Sequence, residues 1–299
     1  MYSVTQRVKH FRQPYGGYIQ FADLKRIDLN DGVQLNPTES IAPGVIGTVI
    51  DYMLRYLNGT PKEKAFQVSL QGAALVGKKR KAAKLLKAIN GIDETSLSSA
   101  CELVEFDIYK RISLAAFLYG PPRKPKLDDA TLFNMQIMIQ RAITFFDEYG
   151  PIVIDGFTFE GGYTNIISSG DGDILTTDTL WEIKTTKRNP NPQHTLQLLC
   201  YYIMGCHSIH SIFQTINRLG IFNPRLNRVF TIDTDAIDPE IIETVSTKVI
   251  GYPPDPSSFV RKNQEKQGEL DHLIMPTRSH ISTPRFHFGE IKDKEIYKR

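Results

Sequence analysis

The chain has 299 residues, 41% of them apolar and 23% charged, with a formal net charge of +3, the composition of an ordinary globular protein with a proper core. It needs no disulfide, contains no run near the roughly 20 apolar residues of a membrane span and opens without a secretory signal, so no membrane attachment and a cytoplasmic location are expected. Charge this mild leaves any affinity for polyanions to local clusters of Lys and Arg.

Residues 1–40 read as an adornment to the rest of the chain. Gln13-Pro14-Tyr15-Gly16-Gly17-Tyr18-Ile19 is a turn entering a short strand, and Asn30-Asp31-Gly32 is a second turn. From Pro43 a helix is predicted through Leu57, closed by Asn58-Gly59, with Val45, Ile46, Val49, Ile50, Met53, Leu54 and Leu57 on its apolar side. Asp51 falls off that side, where a solvated carboxylate or an i,i+4 pair with Arg55 would explain it. Residues 77–87, Gly-Lys-Lys-Arg-Lys-Ala-Ala-Lys-Leu-Leu-Lys, are the most basic run, either a solvated helix face or a patch that tracks phosphates. A helix from Ser96 to Tyr119 carries Glu102, Glu105, Asp107, Lys110 and Arg111, read as surface ion pairs, and Pro121 to Pro125 is a linker-like break. Asp128 then caps a long helix with a buried stripe of Leu132, Met135, Ile139, Ala142, Ile143 and Phe146, ended by Gly150-Pro151.

From Ile152 the pattern changes to short strands at 152–154, 157–159 and 163–169. Two further alternating runs, Asp173 to Thr176 and Leu180 to Thr185, flank a polar centre at Thr177-Asp178, the signature of a tight hairpin. With those two residues in the turn, Asp173 is paired with Glu182, and like charges so placed are destabilising unless a cation neutralises them. Strand alternation puts Glu182 and Lys184 on one face with Asp173, and Trp181, Ile183 and Thr185 on the other. Two carboxylates suit Mg2+, which takes hard oxygen ligands and keeps places for water and a phosphate. A lysine beside them suits metal-assisted phosphodiester hydrolysis. An exposed hairpin with a solvated Glu and Lys is the plainer alternative.

Asn191-Pro192 reads as an N-cap with proline at the first helical position, opening a helix to Met204 that Gly205 stops. Leu196, Leu199, Cys200 and Ile203 form its core stripe, while His194, Gln197 and Tyr201 align on another face. Strands at 215–222 and 227–232 flank Asn223-Pro224-Arg225, Asp238-Pro239 opens a last helix ending at Gly251, and 253–299 read as a partly ordered tail. Cys101, Cys200 and Cys206 lack C-x-x-C spacing, and His207-x-x-His210 has no clear fourth zinc ligand. No phosphate loop and no nucleophile motif occurs, which disfavours ATP-driven and acyl-transfer chemistry.

Gly170-x-x-Asp173, Glu182-Ile183-Lys184 and Gln197-x-x-x-Tyr201, in this order, resemble the motifs of the RecB-like branch of the PD-(D/E)xK nuclease superfamily. The resemblance implies a restriction-endonuclease-like core in which Asp173, Glu182 and the carbonyl of Ile183 hold Mg2+ or Mn2+ and Lys184 is catalytic. It places Gln197 and Tyr201 against DNA near the scissile phosphate. His194 is expected to help position substrate, and Lys187 and Arg188, just past the strand, to contact phosphates. Members of the branch commonly carry an upstream helical histidine as a further ligand; here the corresponding place holds Asp51, which is either its substitute or the paired carboxylate above. The resemblance also points towards DNA repair or phage defence.

The expected architecture is α/β, a mixed sheet flanked by helices with a helical N-terminal half. Residues 1–150 form the mainly helical part packed on the core, 151–252 the nuclease-like core and 253–299 the irregular tail. The expected activity is metal-dependent hydrolysis of nucleic acid, DNA foremost. A non-catalytic nucleic-acid-binding or assembly module that retains a nuclease fold is the alternative.

Overall fold

In the computed structural model residues 1–111 and 126–254 are described; the expected helix end at 112–119, the break at 121–125 and the tail from 255 lie outside them. The chain opens with β1 (Tyr2–Ser3), α1 (Val4–His10) and β2 (Lys25–Asp28). A helical stretch comes next, with α2 (Pro43–Leu57), α3 (Lys62–Ala65), α4 (Gln67–Leu75) and α5 (Lys79–Ala88), then α6 (Glu94–Val104), α7 (Asp107–Arg111) and α8 (Asp129–Tyr149). After it stand β3 (Ile154–Phe157), β4 (Ile167–Ser169), β5 (Gly172–Leu175), β6 (Thr179–Ile183) and α9 (Pro192–His207). Last are β7 (Arg218–Asn223), β8 (Arg228–Asp233) and α10 (Pro239–Thr244), which runs into a π-helical turn, Val245–Ile250.

Six strands make one mixed sheet in the order β2-β8-β7-β6-β5-β3. Its one parallel pair, β6 with β7, needs a crossover, and α9 supplies it. The antiparallel neighbours β5–β6 and β7–β8 are joined by tight turns. Helices cover both faces. On one, Trp181 packs edge-on against Phe145 of α8 at 4.8 Å, and Phe145 stacks on Phe222 at 4.0 Å. Gly220 stands opposite Trp181 in the register because a Cβ there would lie 2.2 Å from the indole ring. The other face is covered by α9, whose Leu196, Leu199, Cys200 and Ile203 are buried as their spacing predicts. A second core joins α2, α4, α5, α6 and α8 through residues such as Met53, Ala73, Leu86, Cys101 and Met135.

Four expectations are corrected. The first forty residues are not an adornment: β2 is an edge strand of the main sheet against β8, β1 pairs with β4, and α1 packs on α9. The strand expected at Tyr18-Ile19 does not form, although Ile19 is buried. Gly205 does not stop α9; it lies inside the helix, where a Cβ would come within 3.1 Å of the Phe213 ring, so the glycine serves a close approach instead of a C-cap. Asp107 pairs with Arg111 as expected but not at the surface: it is buried, 6% exposed, and also accepts the hydroxyls of Tyr52 and Ser69.

Candidate active site

The β5–β6 hairpin closes as its sequence predicts, with the Thr176 N–H donating to the Thr179 carbonyl at 3.0 Å around Thr177 and Asp178. The Trp181 indole donates to Thr176 Oγ1 at 3.1 Å, which ties the turn to the aromatic core. Ile174 pairs with Trp181 and Leu175 with Leu180; one step further along, the same register sets Asp173 opposite Glu182. The Ile183 N–H donates to Asp173 Oδ2 at 2.8 Å, so the two strands stay joined at the carboxylates. Beyond the strand, the Lys184 N–H donates to the Phe222 carbonyl at 2.9 Å and keeps Lys184 in the extended alternation.

These contacts gather one polar cluster between β5, β6 and α9. Lys184 Nζ donates to Glu182 Oε1 at 2.5 Å and to Gln197 Oε1 at 3.3 Å. Gln197 Nε2 donates to Glu182 Oε1 and to the Tyr201 hydroxyl, each at 3.0 Å. Glu182 is 3% exposed, and its second oxygen, Oε2, is buried with no hydrogen-bond partner. An acceptor left so is costly, because its water was removed and nothing replaced it. The i,i+4 spacing of Gln197 and Tyr201 does what it must for this geometry, turning both polar tips to the sheet while the intervening Leu198, Leu199 and Cys200 go into the core.

The electrostatics follow from burial. Asp173 is pushed up to about 7, first by burial and then by the Glu182 charge, against Lys184 and the Ile183 N–H. Glu182 is also raised by burial, with Lys184 opposing. Burial alone would lower Lys184, but the Glu182 and Asp173 carboxylates outweigh it and raise its pKa, so the ammonium keeps its proton. Tyr201 is raised well above its ordinary value, again chiefly by burial. His194 is lowered to about 4 by burial and by Lys184, and its Nδ1 accepts the Asn191 N–H at 3.3 Å within the helix cap.

Asp51 is paired, as its spacing allows, but it is not solvated. Arg55 Nε and Nη2 donate to its two oxygens at 3.1 and 2.8 Å, and its side chain is 20% exposed. Burial raises its pKa to about 6, and the charge of Asp173 adds to the rise, so α2 brings this carboxylate within electrostatic reach of the hairpin. Of the residues past the strand, Lys187 donates from Nζ to the Pro37 carbonyl at 2.7 Å, and Arg188 is exposed.

Some contributors were not read from the sequence. Arg55 lies against β3, where any Cβ at Gly156 would fall 2.2 Å from its Nη1; glycine at that position, with φ of 54°, is what admits the guanidinium. Asp155 beside it accepts the Thr60 hydroxyl at 2.6 Å. Arg225 donates from Nε to the Thr185 carbonyl and from Nη1 to Glu39, both at 2.7 Å, and so fixes the backbone just after Lys184. Nothing local to Arg225 or Glu39 signals a pair 186 residues apart.

Among the described residues no three His, Cys, Asp or Glu side chains form a ready metal cage. The cluster still suits a hard cation that takes only one or two carboxylates, because Glu182 Oε2 is buried without a partner and the Glu182 charge is felt at a second carboxylate, Asp173. Comparison with protein-family models, with curated proteins and with solved structures finds no match to this chain.

Proposed function

We propose that the chain is a metal-dependent nuclease with a restriction-endonuclease-like core, acting on phosphodiester bonds, foremost in DNA. One observation carries the reading: Glu182 Oε2 is buried and unpartnered, in a cluster where the Glu182 charge acts on Asp173 and Lys184 keeps its proton. A fold retains so costly an arrangement where function uses it. Asp173, Glu182 and the Ile183 carbonyl would hold Mg2+ or Mn2+, with Asp51 in reserve once Arg55 releases it. A bound divalent ion supplies Lewis-acid polarisation of the phosphate and acidifies a water.

The chain's own groups supply the rest. Lys184 stays an ammonium, so it orients the attacking water and offsets charge at the phosphorane; it is not a general base. Gln197 holds Glu182 Oε1 and the Tyr201 oxygen together. The Tyr201 phenol stays protonated and can donate a hydrogen bond to a phosphate oxygen. His194, neutral at pH 7, and exposed Arg188 lie at the helix end where the strand of substrate would pass.

The rival reading, a binding or assembly module, is favoured by the clamp on Asp51, whose two oxygens are both engaged by Arg55. Incubation with linear, nicked and closed circular DNA and with RNA, with and without Mg2+ or Mn2+, separates the two. Metal-dependent cleavage is expected. Nucleic-acid binding with neither metal uptake nor cleavage would leave the module reading in place.

A further inference from the structure

The loop between α1 and β2 carries a tyrosine whose side chain the fold does not use. Tyr15 is exposed over its whole side chain. A single exposed aromatic residue is ordinary on a protein surface, but this one is carried on a braced turn. The Gly17 N–H donates to the Pro14 carbonyl at 3.0 Å, and Gln20 Nε2 donates to the Tyr15 carbonyl at 3.3 Å. Gly16 and Gly17 adopt φ of 83° and 92°, the left-handed region that a side chain would resist.

The brace is fastened to the helix of the active site. Gln13 Nε2 donates to the Pro192 carbonyl at 2.9 Å, and Gly17 lies so close that a Cβ would sit 2.9 Å from the proline's Cβ. Thr195 Oγ1 reaches the Ile19 carbonyl at 3.4 Å. Pro192 is the first residue of α9, and the next two turns of that helix carry His194 and Gln197. Arg12, next to Gln13 in the loop, and Arg188, four residues before Pro192, are both exposed.

We propose that Tyr15 is a stacking platform for an unpaired base, and that the site therefore takes single-stranded nucleic acid or the single-stranded end of a duplex. The proposal rests on the nuclease reading above. An aromatic face stacks on any base, and exposed guanidinium groups such as those of Arg12 and Arg188 follow the backbone, which is the combination that binds single strands without sequence preference. In a duplex the base faces are already stacked on one another and offer Tyr15 nothing.

The test is fluorescence anisotropy with a short labelled DNA single strand and a blunt DNA duplex, in Mg2+, on the Lys184→Ala background so that nothing is cut. Adding Tyr15→Ala is expected to weaken single-strand binding about tenfold, within the range for loss of one base–aromatic stack, and duplex binding by no more than about twofold. Tyr15→Trp should restore the strand affinity. Equal strand binding with and without Tyr15, or an equal loss on strand and duplex, overturns the platform while leaving the nuclease reading intact. If the parent binds neither form of DNA, the nuclease reading falls and the platform with it.

Discussion

Asp107, at the start of α7, and Glu182, in β6, are buried to nearly the same degree, at 6% and 3% exposure, and each has one cation beside it. Asp107 accepts the Tyr52 hydroxyl at 2.6 Å and Arg111 Nε at 3.4 Å on one oxygen, and the Ser69 hydroxyl at 2.5 Å on the other. Glu182 crowds Lys184 and Gln197 onto one oxygen and leaves the other bare. The first carboxylate is a joint: α2, α4 and α7 meet on it, and every contact it makes is internal. The second has one oxygen without a partner, beside another raised carboxylate, Asp173, and on the proposed reading that oxygen is where a metal would bind. Gln13, Gln214 and Arg225 also bury an unpartnered polar atom. What distinguishes Glu182 is that its bare oxygen is a carboxylate's, close to a second raised carboxylate, and this is what the proposed reading takes as a place for a cation.

The largest expected effect lies on the side of Glu182. Lys184→Ala removes no ligand, so Mg2+ binding should persist or strengthen as like-charge repulsion is relieved. Cleavage should fall by two or more orders of magnitude, about 3 kcal/mol of transition-state stabilisation, in single-turnover kinetics. Near wild-type cutting by a folded Lys184→Ala variant would remove the lysine from the chemistry.

On the satisfied side the damage should be to stability alone. Asp107→Asn trades a charged acceptor for an amide that keeps one oxygen for one of the Tyr52 and Ser69 hydroxyls and turns an NH2 donor on the other. Urea melts should show a loss of about 2–3 kcal/mol, with Mg2+ affinity unchanged in the folded variant. A metal defect without a stability defect would blur the distinction between the clusters.

Acid should separate them as well. Asp173 titrates at about 7 in the metal-free fold against an ordinary 3.8, with Glu182, Lys184 and Arg55 facing it. Between those values the folded state holds a proton that the unfolded state has released, so stability falls as pH rises through the window and levels off above it. The expected loss is on the order of 2 kcal/mol. Asp173→Asn should remove this share of the slope and be more stable than wild type at pH 8, while losing activity. Asp51 and Glu182, raised, and His194, lowered to about 4, also make stability depend on pH, so the test is the difference between the two proteins. A wild-type minus Asp173→Asn stability that does not fall as pH rises from about 4 to 7 without metal would contradict the raised carboxylate.

The smallest effect belongs to the basic face of α5, far simpler in its physics than either cluster. Lys78, Lys79, Arg80 and Lys81 are exposed, with Lys81 shared to Glu102 at 2.6 Å. Changing the four to Gln should weaken DNA binding and reduce the slope of log K against log salt by about one unit for each phosphate no longer neutralised. An unchanged slope would make this a solvated face.

How much of this could be read from the sequence depends on the range of the interaction. The hairpin register was legible because its turn is two residues long and the side-chain period is two, so Asp173 and Glu182 had to meet. The end of α2 was announced by Asn58-Gly59, and the stripe of α9 by its spacing. Asp107 was not legible: Glu102, Glu105 and Asp107 look alike in sequence, and only the packing of Tyr52 and Ser69 decides which turns inward. The charged strand β2, Lys-Arg-Ile-Asp, hides its sheet position because edge strands carry charge. For α1 a local signal did exist, the Ser3 and Gln6 capping box, but only Val4 and Val8 mark its buried side. The clamp of Arg55 on Asp51 was visible as an i,i+4 pair; its burial against Gly156 was not.

The most direct measurement sets the two carboxylates side by side. Mg2+ is titrated calorimetrically into wild type, Glu182→Gln and Asp107→Asn, each shown by circular dichroism to be folded. Wild type and Asp107→Asn are predicted to bind the ion alike, and Glu182→Gln to lose at least about tenfold in affinity, since a single anionic ligand gives a reluctantly dehydrated cation much of its compensation. Normal Mg2+ binding by Glu182→Gln would contradict the claim that the bare oxygen of Glu182 is there to meet a metal.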